Sequence, residues 1–490
     1  MTKRTAIIGA GLAGLSAGIY LQKNGVQTEI FEISGQTGGM CTAWQRDGYW
    51  FDGCIDWMVG TKQGDGFHKL YLETGALTPD TEIYNAPSVL AEIGGRMYDI
   101  PMDLGRFESF LTALSPQDEK PIKGLCKKIK KMAETPMPTG IVGSFGEMVD
   151  MLISSSGFFS LAISGSGITV ADYAKRFASD EIRAILYNLM PAEFSVLALV
   201  LMLGTRMGGN AGYPMGGARD VARGMTEHYL SLGGTLHLST KVDKIEVTDG
   251  KATAVEAKGV RYEADSVIAA CDMYDTIYRM LDGKYRHTKL EQMLREAPLF
   301  PPLCVVSFGL SKKLGLPYAV TYECKGEIAC AGEPGTPDYM DVDTLSIKAF
   351  EFDPSAAPEG HTSAVAMFSA PLDYWKNLRN SDMDAYRRRK DELAAQAIQA
   401  IEKRLPGFAQ AIVVTDVATP ATYVRYANLY KGSWEGFAPT AKTVGKQLKP
   451  TIDGVKGLYL AGQWVTVGGG LCTAVGSGRS AALQTLKYLR

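Results

Sequence analysis

The chain is poor in the residues that most often carry chemistry by themselves. Five histidines occur in 490 residues, none at metal-ligand spacing to another or to a cysteine pair, so no metal site is expected. The eight cysteines are Cys41, Cys54, Cys126, Cys271, Cys304, Cys324, Cys330 and Cys472, without paired spacing. Reduced thiols in a cytoplasmic setting are therefore expected rather than a disulfide framework. Neither sign of charge is in excess: the net charge of −2 gives no footprint for nucleic acid. The most apolar run, residues 196–203 (VLALVLML), falls far short of the roughly 20 residues needed to cross a bilayer. Internal repeats, low-complexity tracts, a Ser-His-Asp set and a pair of catalytic carboxylates are all missing. The basic start Lys3-Arg4 before an apolar stretch looks like a signal peptide, but the glycine spacing within that stretch has a better explanation.

A composition of 46% hydrophobic and 21% charged residues is ordinary for a globular protein, and the length predicts two intertwined domains. Residues 5–8 (TAII) read as a buried parallel strand. Gly9-Ala10-Gly11-Leu12-Ala13-Gly14 follows at once, a G-x-G-x-x-G pattern. A helical pattern then carries Leu15, Ile19 and Leu21 to a stop at Asn24-Gly25. A second strand, residues 29–33 (EIFEI), contains the acidic Glu32. Gly9 permits the tight turn, Gly11 lets backbone approach a diphosphate, and Gly14 lets the helix sit close on the strand. The first turn of that helix, with Leu12 and Ala13, offers free N–H groups and a positive dipole end. Glu32 is placed to accept from the ribose hydroxyls of a dinucleotide. The pattern alone does not separate FAD from NAD.

Further motifs narrow the choice. Gly38-Gly39 follows Glu32, then Phe51-Asp52-Gly53. These resemble the E-x5-G-G and F-D-x-G signatures of amine-oxidase-like flavoenzymes, and the resemblance implies FAD. Lys241-Val242-Asp243-Lys244-Ile245 is similar to the strand whose backbone meets the adenine, a role carried to Val242. Gly457 to Gly462 (GLYLAG), Gly468-Gly469-Gly470 and Gly476-Ser477-Gly478 resemble the C-terminal flavin segment, which brings Gly462, Gly470, Leu471 and Ala474 to the ring. Independently of the resemblance, a helix from Leu471 onward would point its N-terminus at that ring and favour negative charge on its N1–C2=O edge. No second complete glycine fingerprint occurs, so no NAD domain is expected.

Tyr213-Pro214-Met215-Gly216-Gly217, Thr419-Pro420-x-Thr422 with Arg425-Tyr426, and Gly436-Phe437 resemble elements of the phytoene desaturase, carotenoid isomerase and retinol saturase group. Met40-Cys41 stands where many members carry arginine after the paired glycines, which is more like the isomerase and saturase branch. No cysteine occupies the stretch that would link flavin covalently.

The resemblance implies an α/β fold: a discontinuous Rossmann-like FAD-binding domain (1–75, 206–275 and 419–490) and an α+β substrate domain (76–205 and 276–418). Residues 76–205 are expected to be helical, and 276–418 to give an antiparallel sheet with one helix beginning near Ser381. Alternation over residues 345–352 supports that sheet. Ile122, Leu125, Cys126, Ile129, Met132 and Ala133 share one helix face opposite lysines 120, 123, 127, 128, 130 and 131. Either a solvated face or peripheral membrane contact suits this pattern. Tyr213, Trp464 and Cys472 are candidates beside the flavin, each with a packing alternative. Arg425 is a candidate partner for an acidic substrate end, or for a structural ion pair.

The expected function is FAD-dependent chemistry on C–C or C=C bonds of a long apolar carotenoid, retinoid or other isoprenoid substrate, by desaturation, saturation or isomerisation. Amine oxidation, isomerisation of an unsaturated fatty acid, and non-catalytic lipid carriage of the GDP-dissociation-inhibitor type are the alternatives. Oligomeric state stays open.

Overall fold

The computed structural model describes residues 2–139 and 155–490. Its organising element is a five-stranded parallel sheet, in the order Thr235–His237, Gln27–Phe31, Arg4–Ile8, Ser266–Ala269, Leu458–Leu460. These strands are short apolar runs, as a parallel sheet covered on both faces requires. One face packs the helices Leu12–Lys23 and Leu471–Leu489, which cross backbone to backbone: Ser16 Oγ donates to the Val475 carbonyl at 2.8 Å. The other face is covered by an antiparallel meander, Val242–Thr248, Lys251–Ala257 and Val260–Glu263, with Val242, Ile245 and Val255 packed against Ala6, Ile8 and Phe31. Segments hundreds of residues apart thus share one sheet.

A second sheet has seven strands, in the order Ile412–Ala418, Leu303–Leu310, Thr362–Ser369, Thr344–Ala349, Ala319–Glu323, Ser88–Ile93, Arg96–Pro101. All neighbours are antiparallel except Ala319–Glu323 with Ser88–Ile93. The last two strands correct the expectation of helix throughout 76–205. Residues 88–101 alternate about Gly94-Gly95, both at positive φ, and form a hairpin rather than a helix. Residues 140–154 of that stretch lie outside the described residues. The single helix expected near Ser381 is two, Leu372–Ser381 and Met383–Glu402. Asp382 separates them and caps the second, accepting from the Asp384 and Ala385 N–H groups at 3.0 and 2.9 Å. Leu393, Ala397 and Ile401 of the longer helix close the outer face of the sheet over Val306, Phe308 and Ile347.

The lysine-rich helix Glu119–Ala133 buries Ile122, Leu125, Cys126, Ile129 and Met132 in one cluster with the apolar helix Val196–Met207. Its apolar face is consumed by the core, and the exposed face carries mainly lysines, with Glu119 and Gly124 beside them. Among the described residues no helix is long and apolar enough to cross a membrane.

Candidate active site

The two sheets meet over one cavity of about 2300 Å³. Pockets for drug-sized ligands run to roughly 300–1,000 Å³, so this one has room for a dinucleotide and a second long molecule. The turn after Arg4–Ile8 opens it: Gly9, Gly11, Leu12 and Ala13 line the wall. Gly14 does not, and its part is packing, since a β-carbon there would strike the Gly9 carbonyl oxygen. Gly38 donates to the Ala10 carbonyl at 2.9 Å, which clamps the paired glycines and Met40 onto the fingerprint. Glu32 is buried and accepts from the Ala10 N–H at 2.7 Å and the Ser34 N–H at 2.8 Å. Burial pushes its carboxyl upward while those N–H groups oppose the shift. At this end Val242 also lines the cavity, its carbonyl accepting from Arg279 at 2.9 Å.

The C-terminal segment supplies another wall. Strand Leu458–Leu460 delivers Gly462, whose N–H donates to Ser477 Oγ at 2.9 Å. Gly470, Leu471, Cys472 and Ala474 line the cavity at the start of the last helix. Both this helix and Leu12–Lys23 begin at a glycine and carry no side-chain cap. By contrast, the N-terminus of helix Gly217–Ser231 is served by Asp52, which accepts from the Ala218 N–H at 2.8 Å. Two uncapped helix N-termini facing one cavity, with an acid beside the first, fit a flavin dinucleotide: diphosphate at one, ring edge at the other.

Of the three candidates beside the flavin, Tyr213 is displaced. It does not line this cavity but donates to Asp52 at 3.2 Å and sits among Tyr318, Phe350 and Phe352. Asp52 also accepts from the N–H groups of Cys54 and Ile55. The F-D-x-G and Y-P-x-G-G motifs are therefore the two halves of one joint. Trp464 lines the cavity but is held edge-on by Phe437 and Tyr430. Cys472 lines it too, and burial raises its thiol to about 11, which keeps it protonated at neutral pH. Arg425 reaches the cavity with its guanidinium over the Tyr426 ring, at 4.3 Å.

Sequence reading missed Glu435. This residue lines the cavity, and Gly469 makes room for it: at φ +51, a β-carbon on Gly469 would overlap the Glu435 side chain. Burial raises its carboxyl to about 8, helped by the Asp56 carboxylate and opposed by the Gly470 N–H. Asp56 also lines the cavity and pairs with the buried Lys348 at 3.3 Å. The signal lay in sequence: a lone acid beside Gly436-Phe437, next to the aromatic Trp434. A further stretch of the wall is greasy. Trp57, Phe194, Leu197, Leu201, Phe300 and Trp434 line it, with Leu197 and Leu201 coming from the most apolar run of the sequence.

This geometry agrees with comparisons to known proteins. The model of the family described as flavin containing amine oxidoreductase matches residues 12–486. The chain belongs to this family. It is an FAD-dependent oxidoreductase. Among curated relatives, prolycopene isomerase 2 of an Oncidium hybrid cultivar is 25% identical, the alignment covering 96% of this chain and 82% of that protein. The lycopene-forming phytoene desaturase of Pseudescherichia vulneris is 24% identical, with both chains covered fully. Among solved structures, a putrescine oxidase variant superposes with a TM-score of 0.64 at 17% identity, covering 99% of each chain. Cyclohexylamine oxidase from Brevibacterium oxydans gives 0.62 at 14%, with complete coverage. These two identities speak for the fold alone.

Proposed function

We propose that this oxidoreductase acts on carbon–carbon double bonds of a long, apolar, isoprenoid-type substrate, by isomerisation or saturation. The observation that carries the reading is Glu435, an acid held protonated at neutral pH in the apolar wall beside the glycine turn. FAD, when bound, supplies hydride exchange at its ring. The residues placed against it are Gly9, Gly11, Leu12, Ala13, Gly38, Gly39 and Met40 for the diphosphate, with Gly14 holding the helix close. Glu32 is assigned to the ribose, Val242 to the adenine, and Gly462, Gly470, Leu471 and Ala474 to the ring.

Glu435 then holds the proton that an alkene carbon receives, and takes it back when the double bond re-forms in isomerisation. The aromatic and aliphatic wall positions the polyene and excludes water. A protonated acid disfavours desaturation, which needs a proton acceptor. Relatives named as prolycopene isomerases and as phytoene desaturases both support a carotenoid-type substrate, so the choice of reaction rests on Glu435. The division into a flavin domain (1–75, 206–275, 419–490) and a substrate domain (76–205, 276–418) is part of this proposal.

The test is anaerobic. The photoreduced flavoprotein, mixed with a cis-carotene or a retinoid, should yield a cis-to-trans or saturated product, the former without net flavin oxidation. Bleaching of the oxidised flavin by a carotene with gain of a double bond, or by an amine, would overturn the reading.

A further inference from the structure

One part of the cavity wall is rich in cations. Arg379, at the end of helix Leu372–Ser381, lines the cavity with Arg387 and Lys390 of helix Met383–Glu402 and Arg425 of helix Pro420–Ala427. The elements are joined: the Tyr386 hydroxyl hydrogen-bonds Thr419 Oγ1 at 2.8 Å, and the Lys390 ammonium lies 5.8 Å from the centre of the Tyr386 ring. Arg387 pairs with Asp384. Among the described residues, Arg379, Lys390 and Arg425 have no carboxylate within ion-pair distance. The nearby acid in the wall, Asp416, is already engaged by Arg46 at 3.3 Å and by the Trp44 indole N–H at 2.9 Å. Arg379 and Lys390 are half-buried, while Arg425 is exposed at the rim over the Tyr426 ring, so the three form a cationic mouth to the cavity.

Apolar side chains lie beside them in the same wall, among them Leu303, Met367 and Ala418 on the paired ends of three strands. A ligand threading this path meets grease along its body and cations at its end. Guanidinium forks match the planar geometry of a carboxylate. We propose that Arg379, Lys390 and Arg425 bind the carboxylate head of a long unsaturated acid whose chain extends toward the flavin ring. This rests on the reading of the cavity as a substrate site and narrows the substrate to a polyene acid over a neutral hydrocarbon.

The probe is cis-parinaric acid, a fluorescent tetraene acid, with its methyl ester, titrated into FAD-loaded protein at low salt and neutral pH. The acid should bind about tenfold tighter than the ester, the worth of two or three partly exposed charge pairs. In the Arg379→Gln/Lys390→Gln/Arg425→Gln variant the acid should fall to the affinity of the ester, with the ester itself unchanged. Equal binding of acid and ester by the unaltered protein overturns the carboxylate site and leaves the apolar cavity standing. Binding of neither, with flavin retained, sinks the cavity reading and this inference with it. No preference for the acid, but arginine-dependent flotation with anionic vesicles, reassigns the cluster to a membrane surface and also overturns it.

Discussion

Glu435→Gln gives the sharpest test of the proton assignment. Glutamine keeps the size and an acceptor for the Gly470 N–H but has no proton to give. The wild-type carboxyl lies at about 8 against an ordinary 4.5, chiefly because burial penalises its charge. Each tenfold change in proton affinity is worth about 1.4 kcal/mol, so ionising the group in place costs roughly 4–5 kcal/mol more than in water. At neutral pH it is about ten parts protonated to one ionised, and at about pH 9 the ratio reverses. Wild-type kcat/KM should therefore hold below the titration and fall about tenfold per pH unit above it.

In the Gln variant kcat should drop by roughly a hundredfold to ten-thousandfold, and the alkaline limb should vanish. The stability sign is opposite to that of a salt-bridged carboxylate. The folded value exceeds the unfolded one, so the stability from keeping this group protonated is full below 4.5 and is lost as pH rises through about 8. Under alkaline conditions the variant should consequently melt above the wild type. A variant with near-normal turnover, or with the alkaline limb intact, refutes the assignment.

Gly14→Ala forces a β-carbon into the Gly9 carbonyl and should yield protein with little bound flavin, read from the visible absorbance of the purified sample. Tyr213→Phe removes one hydrogen bond to Asp52. It should cost about 1 kcal/mol of stability by denaturant melt and leave the flavin spectrum and turnover near wild type; a large spectral change would return Tyr213 to the ring. Cys472→Ser should keep turnover within roughly threefold, because a thiol raised to about 11 is not a nucleophile at neutral pH. Rapid alkylation of Cys472 at neutral pH would contradict this.

The flavin half of the fold was legible because its constraints are local. A turn that other backbone passes closely needs glycine: a β-carbon on Gly9, Gly14 or Gly38 would strike a neighbouring carbonyl, and Gly9, Gly11, Gly38, Gly39 and Gly470 line the cavity. The hairpin Ser88–Arg96–Pro101 region was not read, although Gly94-Gly95 between alternating residues was a usable turn signal. Its first strand is held by pairing with a strand more than two hundred residues away, at Val320↔Leu90 and Thr321↔Ala91, and its second strand is the sheet edge. Tyr213 was misplaced because a motif fixes spacing and not direction. Its hydroxyl is drawn to Asp52, whose remaining lone pairs also order the next loop. Glu435 escaped because a carboxyl beside a glycine looks like a turn until the Gly469 backbone gives it a wall to lie against.

The parallel sheet sets a schedule for making the holoprotein. Its fifth strand is Leu458–Leu460, and the last helix, whose first turn lines the cavity, starts at Leu471. While a ribosome is still translating the middle of the message, the nucleotide half has no lid and its long-range pairings are unmet. The proposed flavin site is complete only after translation has passed these residues. A nascent or truncated chain ending before them would leave the diphosphate turn exposed, with unsatisfied backbone and an open sheet edge as an invitation to aggregate.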